Sequence, residues 1–296
     1  MPAAEIRPHQ DGWFWSQDNL RLHYREWPGD DPARPALLCL PGLTRTAADF
    51  EGLAAHLAGR WRLIAPDLRG RGESAWPRDS LTYVPLTYLL DLGRLLDAAA
   101  IRRFVVIGNS LGGHLAMQLT TGHRAAMAGA VLNDIGPVLE TEGLARLRAN
   151  VGRAANWLTW VHAARDLQAR NHAAHPDWTL RDWLAQAHRL CRLSSSGRVV
   201  FNYDPRIADA LRLPGANAGV NLWAAFKGLT GLPVLSLRGV LSDVFSPAAQ
   251  QDMAARLPDL MVATVPRVGH APTLTEPAAL QAIDTLLALV LEREHP

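Results

Sequence analysis

The chain is short of several residue types, and each shortage excludes a class of protein. Only two cysteines, Cys39 and Cys191, occur in 296 residues. They fall in segments of different character and at no metal-ligand spacing, which predicts free thiols and a reducing, cytoplasmic setting. No apolar run approaches the ~18 residues of a membrane-spanning helix. The opening residues, Met1-Pro2-Ala3-Ala4-Glu5-Ile6-Arg7, contain no apolar core of a signal peptide. Lysine is almost missing: Lys227 is the only one among 30 basic residues. The arginines that replace it are spread evenly, which reads as composition rather than as an anion-binding patch. The formal net charge of +2 is too small for a nucleic-acid surface. Internal repeats and low-complexity tracts are absent from the sequence. What is abundant is apolar side chain, at 48%, enough for a large core.

The apolar residues fall into alternating short and long segments. Two N-terminal strands are expected at Trp13-Phe14-Trp15 and Leu20 to Tyr24, with Gln17-Asp18-Asn19 as the turn. Strands then alternate with helices: strand 36–40, helix 47–57, strand 62–65, helix 86–99, strand 104–107, helix 111–121, strand 128–132. Such βα units predict an α/β fold, a mostly parallel sheet with helices on both faces and a site at the carboxyl ends of the strands. From 138 to 231 the pattern becomes mostly helical. It returns as strand, helix, strand from Pro233, with a last helix at 277–291. The interruption is too long for a loop, so 138–231 is expected to form a helical lid on a core made of 1–137 and 232–296.

One stretch carries chemistry. In Phe104-Val105-Val106-Ile107-Gly108-Asn109-Ser110-Leu111-Gly112-Gly113-His114, a β-branched strand enters a Gly-x-Ser-x-Gly turn that opens a helix. Gly108 and Gly112 remove side-chain bulk where the backbone must turn tightly, leaving the Ser110 hydroxyl at the tip. A solvent-facing serine on a glycine turn is the plainer reading, and the strand and helix on either side argue against it. Serine needs a base. Among the 11 histidines, His270 follows the strand-like run Met261 to Val265 and precedes the last helix, which suits a base. The base needs a carboxylate to fix its tautomer. Asp243, just past the strand-like Pro233 to Gly239, is the preferred acid. Asp134, after Val131-Leu132-Asn133, is the alternative. Either carboxylate would otherwise cap a helix or bond a loop amide. Two backbone N–H groups are expected to face a developing oxyanion: Leu111 at the helix start, and Leu43 in Pro41-Gly42-Leu43-Thr44 after the strand 36–40.

With these landmarks, and with Asp67-Leu68-Arg69-Gly70-Arg71-Gly72-Glu73-Ser74, the chain resembles the α/β-hydrolase superfamily in its lid-bearing branch, over nearly its whole length. The resemblance implies a mostly parallel eight-stranded sheet flanked by helices, with the lid inserted after strand 6, and the chain order Ser110, Asp243, His270. Many relatives carry His-Gly at the oxyanion loop. Pro41-Gly42 here removes a buttressing side chain but keeps the Leu43 donor.

The expected activity is hydrolysis of a small or medium carboxylic ester with an apolar or aromatic part, through an acyl-enzyme on Ser110. Carbon–carbon bond hydrolysis of the meta-cleavage-product type and lactone hydrolysis are the alternatives. A non-catalytic small-ligand receptor is a third. Carbon–carbon hydrolases commonly carry Trp after the catalytic His, where Ala271 stands here. No cofactor or metal is called for; His172 and His175 form a pair without a third ligand. The partner expected is a small molecule, not nucleic acid or membrane, and the chain is expected to be a monomer or homodimer. Trp157, Trp160, Trp183 and Trp223 are the candidate pocket residues, although a tryptophan face also packs simply as core. The segment 138–231 carries 12 basic and 7 acidic residues. A basic lid would attract an acid-bearing substrate, while a solvated helical surface is the ordinary cause of such an excess.

Overall fold

A computed structural model describes residues 8–153, 155–212 and 221–294. The remaining positions of the expected core (1–7, 295–296) and lid (154, 213–220) lie outside the described residues. Eight strands form one sheet: β1 (Gln10–Trp15), β2 (Arg21–Trp27), β3 (Ala36–Leu40), β4 (Leu63–Pro66), β5 (Phe104–Asn109), β6 (Met127–Asn133), β9 (Val234–Gly239) and β10 (Leu260–Val265). Two short strands, β7 (Cys191–Leu193) and β8 (Val199–Phe201), pair separately. The large sheet runs β1-β2-β4-β3-β5-β6-β9-β10. Only the β1–β2 and β2–β4 pairs are antiparallel. The rest are parallel, as βαβ crossovers require.

The central strands are buried on both faces, and their two-residue period splits the core. Phe104 and Val106 of β5 join a cluster with Leu92, Leu95 and Leu115 on one face. Val105 and Ile107 join Ile283, Leu286 and Leu287 on the other. The last helix, Pro277–Glu294, supplies the second face through Ala279, Ile283, Leu286, Leu287 and Val290, a stripe at helical spacing. Two layers of helix on a parallel sheet leave one edge for chemistry, the carboxyl ends of β3, β5, β6 and β9.

After β6 the chain leaves the sheet until β9. Helices Thr141–Asn150, Trp160–Asn171 and Leu180–Leu190 lie in this stretch. The last of these starts with a capping box, in which the Thr179 side chain and Asp182 satisfy each other's backbone amides. The segment has a small core of its own: Ala163, Ala164, Leu167, Trp183, Ala187, Cys191 and Val199. The β7–β8 hairpin lies within what the sequence suggested was mostly helical. Both cysteines are buried and unpaired, and burial pushes the Cys191 thiol up to about 12. No described helix is long and apolar enough to cross a membrane.

Candidate active site

The turn after β5 has the geometry its sequence dictates. Ser110 sits at φ 51°, ψ −113°, a backbone conformation costing about 1–3 kcal/mol in a non-glycine residue. The turn closes only because its neighbours lack side chains. A Cβ on Gly112 would lie 2.0 Å from the Leu40 carbonyl oxygen, and one on Gly108 would lie 2.4 Å from that of Gly112. The helix Leu111–Gln118 begins at once. The Leu111 and Leu43 amides find no acceptor among the described residues, and both residues line the same cavity as Ser110.

The Leu43 loop is held from behind. Arg71 is completely buried, donates from Nε to the Leu43 carbonyl (2.8 Å) and from Nη1 to that of Arg69 (2.6 Å). Its guanidinium lies 5.4 and 5.0 Å from the Tyr83 and Tyr88 ring centres, and Arg71 has no carboxylate partner among the described residues. A buried cation that ties the Leu43 carbonyl to that of Arg69 supplies the support that Pro41-Gly42 lacks. Sequence reasoning quoted the Arg71 segment only as a landmark and missed this contact, which depends on a fold-level approach of β4's loop to β3's.

His270 is brought to Ser110 by the loop after β10. Its Nε2 lies 3.0 Å from Ser110 Oγ. Its Nδ1 lies 2.7 Å from Oδ2 of Asp134, not of Asp243. This corrects the preferred reading of the acid. Asp134 follows β6 at φ 54° and is fully buried. It accepts from the Gly239 amide (2.8 Å) and the Ser242 hydroxyl (2.6 Å) as well as from His270. Three donors satisfy this buried carboxylate and fix its orientation. Asp243 faces outward instead. Its carboxylate takes a two-point ion pair from Arg146 (2.6 and 2.8 Å), and that contact holds its pKa below the usual carboxylate range. The partner reaches it because Gly143 packs on the Asp243 backbone, where a Cβ would lie 2.1 Å from the carbonyl oxygen. β6 and β9 are neighbours, so both carboxylates arrive at the same corner, and Ser242 rather than Asp243 joins the network.

The site opens on a cavity of about 650 Å³. Leu43, Leu111, Ile135, Leu144 and Leu147 give it an apolar wall. Of the candidate tryptophans, Trp183 lines it, joined by Trp178, which was not singled out. The other three pack elsewhere. Trp157 meets Phe201 edge-on (5.0 Å), Trp160 stacks on His188 (4.0 Å), and Trp223 packs against Phe226 (5.8 Å) beneath Arg256. Trp157 and Trp160 pack on the small core of the inserted segment, and Trp223 packs on the core of the sheet. His114 and His175 also line the cavity, and burial pushes both imidazoles down to about 4. His175 stacks on Trp178 at 3.9 Å rather than pairing with His172.

The sequence profile of the alpha/beta hydrolase family matches residues 37–283. The chain is 33% identical over 267 residues to the 3-hydroxybutyrate-oligomer hydrolase of Cupriavidus necator, covering 88% of this chain and 90% of that protein. It is 28% identical over 257 residues to the 2-(acetamidomethylene)succinate hydrolase of Mesorhizobium japonicum, covering 84% and 88%. Among solved structures, an alpha/beta hydrolase from Novosphingobium aromaticivorans superposes with a TM-score of 0.91 at 48% identity, over 96% of this chain and 99% of the other. A match across most of the chain, on a sheet of the same build and around an elbow serine at the end of β5, makes this protein a member of the alpha/beta hydrolase family.

Proposed function

We propose that the protein hydrolyses a carboxylic ester through an acyl-enzyme, with Ser110 as nucleophile, His270 as general base and acid, and Asp134 as the orienting acid. The observation that carries this is the unbroken chain from Ser110 Oγ to His270 Nε2 (3.0 Å) and from His270 Nδ1 to Asp134 (2.7 Å). Asp134 keeps the proton on Nδ1, so Nε2 presents a lone pair to the hydroxyl. Ser110 attacks the ester carbon, and its proton passes to His270. The tetrahedral oxygen takes hydrogen bonds from the Leu43 and Leu111 amides. His270 then protonates the leaving alcohol. Water, activated by the same imidazole, releases the acid and restores Ser110.

An ester is favoured over a carbon–carbon bond by the named activity of one relative. The Cupriavidus necator protein is a hydrolase of 3-hydroxybutyrate oligomers, whose units are joined as esters. Ala271 beside His270 leaves space for an alcohol leaving group. The segment between β6 and β9 acts in this reading as the lid that shields the acyl-enzyme. The receptor alternative leaves the hydroxyl–imidazole–carboxylate chain without a purpose. Turnover of 4-nitrophenyl butyrate by the wild type and by Ser110→Ala tests the proposal. Hydrolysis lost in the variant supports it. Equal rates in the two, or no hydrolysis of any ester, refutes it.

A further inference from the structure

The ionisable lining of the cavity is lopsided. Beside three imidazoles and two phenols, it comprises Arg45, Arg146, Arg148, Arg170 and Arg189 against a single carboxylate, Asp49, among the described residues. Two of these arginines are engaged outside the cavity wall, Arg146 with Asp243 and Arg170 with Asp166 (2.9 Å). Arg45 and Arg189 are not disposed of in that way. Both line the cavity where the loop after β3 touches the helix Leu180–Leu190, for the Thr46 hydroxyl donates to the Arg189 carbonyl at 3.4 Å.

Arg45 is held rigidly with part of its fork left over. Its Nε donates to Asp49 at 2.5 Å. With the Gln186 amide turned to suit both groups, its oxygen accepts from Nη1 and Nη2 at 2.6 and 2.7 Å. A guanidinium has five N–H donors, so one remains on each terminal nitrogen. Arg189 is half-buried, and no described carboxylate lies within ion-pair distance of it. The nucleophile is close by: the point where Gly42 would carry a Cβ lies 3.0 Å from Arg45 Cγ and 3.7 Å from Ser110 Cβ. His175 also lines the cavity, and burial and then the Arg45 charge hold its imidazole down to about 4, so at pH 7 it is neutral and the positive charge of this wall comes from the arginines.

We propose that the substrate carries a free carboxylate beside its scissile ester, and that Arg45 and Arg189 hold this carboxylate at the seam between the oxyanion loop and the inserted helices. This rests on the ester-hydrolase reading above and adds a substrate class to it: short acidic esters, either half-esters of dicarboxylic acids or acylated hydroxy acids. One spare Arg45 N–H and the Arg189 guanidinium offer a carboxylate two cationic donors, and the apolar wall accommodates the alkyl chain that links it to the ester. Asp49 cancels one cation and fixes its orientation, while Arg189 supplies the uncompensated charge.

The test uses two pairs of matched esters. Mono-4-nitrophenyl glutarate against 4-nitrophenyl pentanoate places the charge on the acyl side. 4-Acetoxybutanoate against 4-acetoxybutanamide places it on the alcohol side. In at least one pair, kcat/KM is expected to favour the acid by roughly tenfold or more, and Arg45→Gln or Arg189→Gln to lower that ratio by roughly 10- to 100-fold. Equal or reversed preference in both pairs, or a ratio unmoved by both substitutions, overturns the proposal. A second measurement does not depend on turnover. Calorimetry on Ser110→Ala should find glutarate bound at least roughly tenfold tighter than glutaramide. If neither pair is cleaved, the ester reading fails by itself, and calorimetry decides for or against the carboxylate site.

Discussion

Replacing Asp134 by Asn keeps the shape of the side chain and changes one atom from acceptor to donor. In the native site Oδ1 accepts from the Gly239 amide at 2.8 Å, while Oδ2 accepts from Ser242 at 2.6 Å and His270 Nδ1 at 2.7 Å. The Asn carbonyl will stay on Gly239, because turning it away leaves a buried N–H unpaired at a cost of about 1–3 kcal/mol. The NH2 then points at His270 Nδ1. The imidazole can accept that bond only by moving its own proton to Nε2, the nitrogen facing Ser110, and it can no longer take the serine proton. The same tautomer fault costs ~10⁴-fold in another triad, equivalent to about 5.5 kcal/mol of transition-state stabilisation. Asp243→Asn removes only a partly exposed ion pair, in which Arg146 and Asp243 are 38% and 48% accessible, worth about 0–1 kcal/mol. The expected loss is a few-fold at most. The assay is kcat/KM for 4-nitrophenyl butyrate, with circular dichroism to verify folding. A loss of three orders of magnitude in Asp243→Asn, with Asp134→Asn within tenfold of wild type, would refute the assignment.

Two further outcomes follow from buried cations and imidazoles. Arg71→Met removes the donor that fixes the Leu43 carbonyl, so kcat should fall roughly 10- to 100-fold with KM little changed, since the oxyanion donor acts mainly in the transition state; a rise in KM at constant kcat would contradict this. His114 has its imidazole pushed down from 6.5 to about 4, chiefly by burial, so between these pH values the unfolded chain binds a proton that the folded one does not. Stability present above pH 6.5 is therefore lost as pH falls towards 4, by on the order of 3 kcal/mol. Chemical denaturation at pH 7.5, 5.5 and 4.5 should show a shallower acid decline in His114→Asn, and identical slopes would count against the burial argument.

The sheet was legible because its signals are local. β3, β5, β6 and β9 are mostly apolar runs, and all but Asn109 at the end of β5 are buried. The elbow was legible for a similar reason, since two glycines and a serine at fixed spacing describe a turn by themselves. The β7–β8 hairpin was not, because three-residue strands carry no usable period. The choice of acid was not legible either. Asp134 and Asp243 both follow buried strands, and those strands are neighbours in the sheet. What separates them is long-range: Arg146, 97 positions away in sequence, captures Asp243, and Ser242 turns inward to Asp134. The tryptophans illustrate the same limit. A spacing of three would put Trp157 and Trp160 on one helix face, but Trp157 precedes the helix, bridges to Val199 and meets Phe201, while Trp160 stacks on His188.

The measurement closest to the central claim is the site of covalent capture. The protein is treated with one equivalent of an alkyl fluorophosphonate, digested, and mapped by mass spectrometry. A single adduct on Ser110, formed in the wild type and strongly slowed in Asp134→Asn, is the predicted result. An adduct on Ser242, Ser246 or any other serine, or labelling of Ser110 at an undiminished rate in Asp134→Asn, would contradict the assignment of Ser110, His270 and Asp134 as one catalytic unit.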